Sequence, residues 1–252
     1  QMAINVNAVY KTVLLILNQQ QRGLMTPDEF NKVSTQVQLN IFERYEDDLN
    51  QMYRVPQNNT EYANRVKNIE DNLQYFQRTG STTYVPANAN FTLNPGTTPF
   101  NDEAGAANVT DLIYRLGSVY YQGSQISQYA QRQEITQLLL SPLTQPTTSF
   151  PIYLYENNSL FVYPTTIINS VGQLVTFSYL KTPANVVWGY GVGGLGQFEY
   201  NESLSVNFEL NVSEQSNVII RVLAYAGVII NDPTIIQVAS QEIQQEEQNS
   251  KT

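Results

Sequence analysis

Residues 24–50 constrain the fold more than any other stretch, because they specify both where a helix begins and which side of it is buried. Thr26 can cap the helix, Pro27 suits the first helical position because it has no N–H to satisfy, and Glu29 completes a T-x-x-E capping box. Large apolar residues then recur every three or four positions, at Phe30, Val33, Val37, Ile41, Tyr45 and Leu49. The pattern predicts an amphipathic helix whose apolar side must pack against the rest of the chain. The opposite side is polar and carries Asn31, Lys32, Thr35, Gln38 and Asp47.

Helical periodicity also marks both ends of the chain. We predict a first helix over Ala3–Gln21, antiparallel to the capped helix, and a third over Glu61–Arg78 that ends at Thr79-Gly80. Near the C-terminus, Ser213 can cap a helix that breaks at Asn231-Asp232-Pro233, after which a final helix runs into a polar, frayed tail. We expect these C-terminal helices to return and pack on the first three.

Between the helices the sequence becomes rich in Thr, Tyr, Val and Asn, which predicts β-structure. The clearest element is a hairpin over Phe150–Pro164, because two β-branched and aromatic runs flank Asn157-Asn158, a pair that tolerates left-handed backbone. The other predictions are a loop or irregular edge at 81–107, a strand pair over Val109–Tyr121 turning at Gly117-Ser118, a short helix within 124–140 ending before Pro142, and strands at Leu174–Leu180 and Ser203–Val212.

Together these elements predict an α+β fold, in which N-terminal and C-terminal helices form a bundle around an inserted β-rich domain of sandwich-like or barrel-like type. The predicted boundaries are 1–80 for the first part of the bundle, 81–212 for the β-rich domain and 213–252 for the returning helices with their tail. At 252 residues and 42% hydrophobic content, the chain can build a sizeable core.

Charge and composition exclude several functional classes. The net charge is −9, and residues 133–252 hold 3 basic against 10 acidic residues, which argues against an ordinary nucleic-acid binder. The chain has no Cys and no His, so disulfides, thiolate chemistry, the usual zinc sites and imidazole bases are excluded. No apolar run reaches 18 residues and no signal peptide is recognisable, so we expect no membrane partner and a protein kept inside a cell or built into a particle there.

Two motifs could be interpreted as ligand sites, and in each case a structural explanation is favoured. The glycine-rich run Gly189–Gly196 lacks the following helix that a dinucleotide site requires, since a strand-like QFEY comes next, so a tightly turning loop is favoured. An acidic cluster of Glu43, Glu46, Asp47 and Asp48 has the ligand type for a divalent cation, but a solvated helix face is favoured. We therefore predict no catalytic, cofactor-binding or metal residue, no cofactor and no enzymatic activity.

The aromatic residues, 17 Tyr and 10 Phe, fit either of two roles. They can form a carbohydrate-binding surface, or they can serve as sheet core and interface anchors. Their placement at strand spacing favours core and interface.

Three segments resemble the structural proteins of short-tailed bacteriophages of the crAss-like and related marine type. They are the opening stretch MAINVNAVYKTVLLILNQQQRGLMTPDEFNKVSTQVQLNIFERYEDDLN, the hairpin NNSLFVYP with VTFSYLKTP, and LAYAGVIINDPTIIQVASQEIQQEE. Among such proteins, the arrangement of a helical bundle with a β insertion is similar to the head-to-tail connector proteins, also called adaptor or ring proteins.

This resemblance implies a virion protein of the phage neck or tail, assembled in the host bacterial cytoplasm as a homo-oligomeric ring, expected to be a dodecamer. It implies as partners further copies of the chain, the portal protein, adjacent tail or ring proteins and tail fibres, with DNA only passing through the lumen. The acidic second half would suit a channel wall that repels phosphate, with Glu199, Glu202, Glu209 and Glu214 as candidates.

Two other functions remain open from the sequence. One is a tail- or capsid-associated binding module whose aromatic β region recognises glycans or anchors fibres. The other is a carboxylate-based hydrolase of cell-wall or capsular polymer, because two carboxylates suffice for that chemistry without any His.

Overall fold

In a computed structural model of the chain, the residues described are 3–19, 25–54, 60–102, 105–123, 125–168, 175–194, 196–230, 237–238, 240–241 and 243–245. Within them, five α-helices have defined bounds: α1 (Val6–Gln19), α2 (Pro27–Arg54), α3 (Thr60–Leu73), α4 (Arg132–Leu140) and α5 (Gln215–Ile230). The strands are β1 (Ala3–Ile4), β2 (Gln77–Val85), β3 (Asn90–Asn94), β4 (Thr97–Asp102), β5 (Gly105–Thr110), β6 (Ile113–Tyr121), β7 (Gln125–Tyr129), β8 (Ile152–Glu156), β9 (Ser159–Tyr163), β10 (Val175–Lys181), β11 (Tyr190–Val192), β12 (Phe198–Tyr200) and β13 (Phe208–Asn211). The predicted α+β class, with helices before and after a β-rich region along the chain, is confirmed.

The chain divides into two compact units. The first, called here the helical unit, comprises residues 1–75, 99–109 and 183–252, and the second, the barrel unit, comprises residues 76–98 and 110–182. This division differs from the predicted boundary at 212, because residues 183–212 belong with the helices.

The start of α2 has the predicted capping box. Glu29 Oε2 accepts hydrogen bonds from the backbone N–H of Thr26 at 2.9 Å and from its hydroxyl at 2.8 Å, while the N–H of Glu29 donates to Thr26 Oγ1 at 3.3 Å. These bonds, the backbone one first, lower the pKa of Glu29. The apolar stripe is buried at Phe30, Val37, Ile41 and Tyr45.

Helix α2 packs against α3 and α5, and α1 packs against α5. The prediction that a C-terminal helix returns onto the opening helices is therefore confirmed. A short antiparallel pairing of β1 with β13 also joins the two ends of this unit. Three predicted bounds were wrong, since α1 begins at Val6, α3 ends at Leu73 and α5 begins at Gln215 after a single 3-10 turn. The predicted break at Asn231-Asp232-Pro233 lies outside the described residues.

The barrel unit is a closed barrel with the strand order β10-β2-β3-β9-β8-β7-β6. All neighbouring strands run antiparallel except β7 and β8. Its core is the cluster Phe91, Val119, Tyr121, Tyr153, Leu160, Val162, Ile167, Val175, Phe177 and Tyr179. Helix α4 packs a second, smaller apolar cluster through Ile135 against Ile152 and Leu154.

Three predictions at the start of the β-rich region were wrong. Residues 81–107 are not a loop, because β2, β3, β4 and β5 occupy most of this range, with β4 and β5 forming a separate two-stranded sheet. Gly80 does not end a helix but lies inside β2, directly opposite Phe177, where a Cβ would come within 2.4 Å of the ring. The glycine therefore makes room for a core aromatic residue, a role that local sequence does not reveal.

Val109–Tyr121 is likewise not a hairpin, because β6 runs straight through Gly117-Ser118. The pairing of β6 with β10 shifts register at this point, and the N–H of Ser118 donates to Ser178 Oγ at 2.8 Å. A Cβ on Gly117 would lie 2.6 Å from the same oxygen. The Gly-Ser pair thus marks an irregularity in the strand instead of a turn.

The remaining β predictions were mostly correct. The hairpin of β8 and β9 turns at Asn157 and Asn158, which have φ values of 50° and 54°. The strand predicted at Leu174–Leu180 is β10, and the short helix before Pro142 is α4. The strand predicted over Ser203–Val212 is confined to Phe208–Asn211.

Candidate functional site

The polar side of α2 holds an extended segment, residues 184–188, against the helix. Asn31 accepts from the N–H of Trp188 at 2.7 Å and donates to its carbonyl at 3.4 Å. One turn further, Thr35 accepts from the N–H of Val186 at 3.1 Å and donates to its carbonyl at 3.4 Å. We call Asn31, Thr35 and Gln38 the polar ladder, because each bonds an alternate residue of the same segment.

Gln38 is the third member and is fully buried. Its Nε2 donates to the carbonyl of Ala184 at 2.7 Å, and its Oε1 accepts from the N–H of Glu209 at 2.8 Å. The side chain of Glu209 closes the arrangement by accepting from the N–H of Ala184 at 2.9 Å. One glutamine thus joins two backbone segments that are distant in sequence.

The ladder forms because helix and strand spacings match. Four helical residues rise about 6 Å and two extended residues span about 6.6 Å, so side chains at i, i+4 and i+7 reach successive same-side residues of a strand. The intervening residue, Val187, bonds Val206 in both directions, at 3.1 and 2.8 Å. Backbone groups of the segment therefore form hydrogen bonds on both of its edges, with α2 on one side and Val206 on the other. The sequence pattern predicts a polar face for these three residues, but it gives no sign of their partner, which lies about 150 residues away.

Beyond the ladder, the segment leads into a hairpin of β11 and β12, which we call the apolar hairpin. The Trp188 ring lies 4.4 Å from that of Tyr10, stacks on Tyr190 at 6.0 Å and contacts Tyr200 at 5.7 Å. Its Nε1 donates to Asn7 Oδ1 at 3.2 Å. A chain of rings therefore connects the base of the hairpin to the buried part of the helical unit.

The two faces of the apolar hairpin differ sharply. Tyr190 pairs with Tyr200 and Val192 pairs with Phe198, so these four side chains share one face. Val192 and Phe198 are exposed at 68% and 50%. The other face carries the pair Gly191 and Glu199.

The glycine-rich run therefore supplies a strand and a turn and is followed by the strand β12, so it does not have the geometry of a dinucleotide site. Leu195, within this run, lies outside the described residues.

The barrel unit contains an open groove of about 730 Å³ beside α4. Its lining comes from β7, α4, the strap of residues 141–150 and β8: Gln128, Tyr129, Ala130, Glu134, Gln137, Leu138, Leu143, Thr144, Gln145, Pro146, Thr147, Phe150 and Ile152. Two aromatic side chains in it are exposed, Tyr129 at 53% and Phe150 at 80%.

A buried polar cluster lies at one end of β10. The hydroxyl of Tyr179 donates to Asp111 Oδ2 at 2.8 Å and accepts from the N–H of Gly96 at 2.7 Å, and Arg78 lies 3.3 Å from the same carboxylate oxygen. Burial first, and then the bond to Asp111, raises the pKa of Tyr179 to about 12. Because these groups bond one another, the cluster ties β10 and β2 to the residues Gly96 and Asp111.

The acidic residues singled out from the sequence do not form a metal centre. In the part of the chain that the structure describes, no three acidic residues are grouped to hold an ion. Of the four carboxylates considered for a channel wall, Glu199 and Glu202 are exposed. Glu209 is engaged with Ala184, and Glu214 accepts from Asn217 at 2.9 Å and lies 4.0 Å from Arg44.

Comparison of the chain with family models and with curated proteins finds no match. In the described residues there is no helix with the length and apolar character that a bilayer crossing would need.

Proposed function

We propose that this protein is a structural virion protein, one subunit of a homo-oligomeric ring in the neck of a short-tailed phage. In this proposal the ring connects the portal protein to the tail, contacts adjacent ring or tail proteins and fibres, and forms part of the channel through which DNA leaves. The observation that carries the proposal is the apolar hairpin, which presents Val192 and Phe198 to solvent on one face.

Such a hairpin is suited to a subunit interface. Exposed aromatic and aliphatic side chains that are already held in place lose little conformational entropy when a partner covers them. Trp188 supports the base of the hairpin through its ring contacts to Tyr190 and Tyr200 and its bond to Asn7, and the Tyr190 ring in turn lies 5.0 Å from that of Phe198. A heterologous contact between this hairpin and a different surface of the next copy generates a closed ring when the rotation closes.

Two further observations support the proposal. The sequence segments quoted above resemble phage connector proteins. Glu199 and Glu202 are exposed in the helical unit and can supply negative charge to a lumen. Glu209 and Glu214 are engaged inside the unit, so the charge argument rests on the first two alone.

The experiment is native mass spectrometry of the full chain, purified alone and together with its portal protein. We expect a closed oligomer near twelve copies for the unmodified chain. The double variant Val192→Ser/Phe198→Ser should lose the oligomer and remain folded by circular dichroism, because Val192 is largely exposed and Phe198 half exposed.

The matched control is Glu199→Gln, which changes the opposite face of the same hairpin and should assemble as the unmodified chain does. A monomer or trimer under all conditions, with or without the portal protein, would refute the ring. An intact ring formed by the double variant would show that the hairpin is not its interface.

A further inference from the structure

We propose that the groove beside α4 in the barrel unit binds a neutral oligosaccharide. The proposal rests on the chemistry of the groove lining and does not depend on the ring. Nothing in the assembly role requires such a site, so the two proposals can fail separately.

Two aromatic rings form platforms in the groove. Tyr129 ends β7 and is braced by an edge-on contact with the Tyr153 ring at 5.6 Å, yet remains half exposed. Phe150 is held through its backbone, since its N–H donates to the carbonyl of Thr147 at 3.1 Å and to its hydroxyl at 3.2 Å. A braced, half-exposed ring such as that of Tyr129 can stack on the apolar face of a pyranose ring at little entropic cost, and the exposed ring of Phe150 offers a second apolar face in the same groove.

Polar groups share the groove lining with these rings. The amides of Gln128, Gln137 and Gln145 and the hydroxyls of Thr144 and Thr147 line the groove. An amide or hydroxyl can both donate and accept, which matches sugar hydroxyls, themselves donors and acceptors. A lining of this mixed aromatic and amide kind fits saccharides better than it fits a purely apolar ligand.

Charge restricts the ligand to neutral sugars. Among the described residues, no lysine or arginine lines the groove, and the carboxylate in the lining belongs to Glu134, whose Oε2 accepts from the N–H of Gln131 at 2.9 Å. The nearby Arg132 is held in an ion pair with Glu156 outside the lining. A sulfated, phosphorylated or uronic acid polymer would meet an acceptor without a countercharge.

The size of the groove suits a short oligosaccharide. A groove of about 730 Å³ is within the usual range of small-ligand sites, about 300–1,000 Å³, and is open to solvent. Its floor is rigid because Ile135 of α4 and Ile152 of β8 pack in one apolar cluster. Several linked sugar rings can therefore lie along it without a change in the barrel.

The test is isothermal titration of the full chain with four probes: maltohexaose, cellohexaose, mannohexaose and N-acetylchitohexaose. We expect at least one to bind with one site per chain, and a heparin hexasaccharide not to bind. Tyr129→Ala and Phe150→Ala should each weaken binding at least about tenfold, the size expected for an anchor ring. Gln137→Ala, which changes an exposed helix position, should weaken it about three- to tenfold without affecting folding.

The matched control is Leu140→Ala, because Leu140 is an exposed apolar residue of the same helix that does not line the groove. It should bind as the unmodified chain does. The proposal is overturned if none of the four neutral probes binds at millimolar concentration, or if neither Tyr129→Ala nor Phe150→Ala changes binding. It is also overturned if Tyr129→Ala and Phe150→Ala change only the native mass of the assembly, since the groove is then a contact between copies of the chain.

Discussion

Replacing Gln38 with alanine should remove the most deeply buried step of the polar ladder. The side chain of Gln38 is fully buried and bonds the Ala184 carbonyl at 2.7 Å and the Glu209 N–H at 2.8 Å. Alanine at this position cannot reach either group, so both lose a partner while the surrounding helices still exclude water.

The expected loss of folding stability can be estimated from those two hydrogen bonds. A buried backbone group left without its partner costs about 1–3 kcal/mol, and two such groups with partial relaxation give about 2–4 kcal/mol. The matched control is Gln36→Ala on the exposed side of the same helix, where the lost bond to Asn40, 3.0 Å long, should change stability by less than about 0.5 kcal/mol.

Urea unfolding of both variants measures the total effect, and amide hydrogen exchange locates it. We expect faster exchange at Glu209 in Gln38→Ala and unchanged exchange there in Gln36→Ala, because the Glu209 N–H donates to Gln38. If Gln38→Ala is destabilised no more than Gln36→Ala, the ladder does not hold the segment and the reasoning is wrong.

Two further predictions concern the barrel unit and the apolar hairpin. The pKa of Tyr179 is about 12 in the folded chain and about 10 in an unfolded chain, so the stability present below pH 10 is lost as pH rises from 10 to 12, because only the unfolded state gives up the proton. Tyr179→Phe should make this loss of stability with pH smaller. Urea unfolding of both proteins at pH 9 and 11 measures it, and an equal loss in both would count against the cluster. Gly80→Ala should lower the free energy of unfolding by about 1–3 kcal/mol, because the new Cβ would lie 2.4 Å from the Phe177 ring. The control Gly191→Ala should be nearly neutral by thermal melting, because its Cβ meets no described atom within 4 Å. A neutral Gly80→Ala would contradict the close approach of Phe177.

Elements whose signals are local could be predicted from the sequence. The capping box at Thr26 and Glu29, the buried stripe of α2 and the Asn157-Asn158 turn all depend on residues within one or two turns of each other. For such elements the chain offers few alternative arrangements, and the order of helices and strands also predicts correctly that α5 returns to the opening helices.

Where a local signal fits two kinds of element, long-range packing selects one of them. Gly80 and Gly117 look like element ends in the sequence, yet each lies inside a strand because β10 approaches closely at Phe177 and Ser178. Local propensity cannot distinguish a glycine that breaks a helix from one that makes room for a distant ring.

The same limit applies to the polar ladder, the apolar hairpin and the groove. The polar ladder needs a partner about 150 residues away, the apolar hairpin depends on Trp188 reaching Tyr10, and the groove combines β7, α4, the strap and β8. Sequence alone supplied the residue types, amides, hydroxyls and aromatic rings, and their spacing on single elements. Which of them meet is set by long-range packing, because contacts between distant segments leave no period in the sequence of either one.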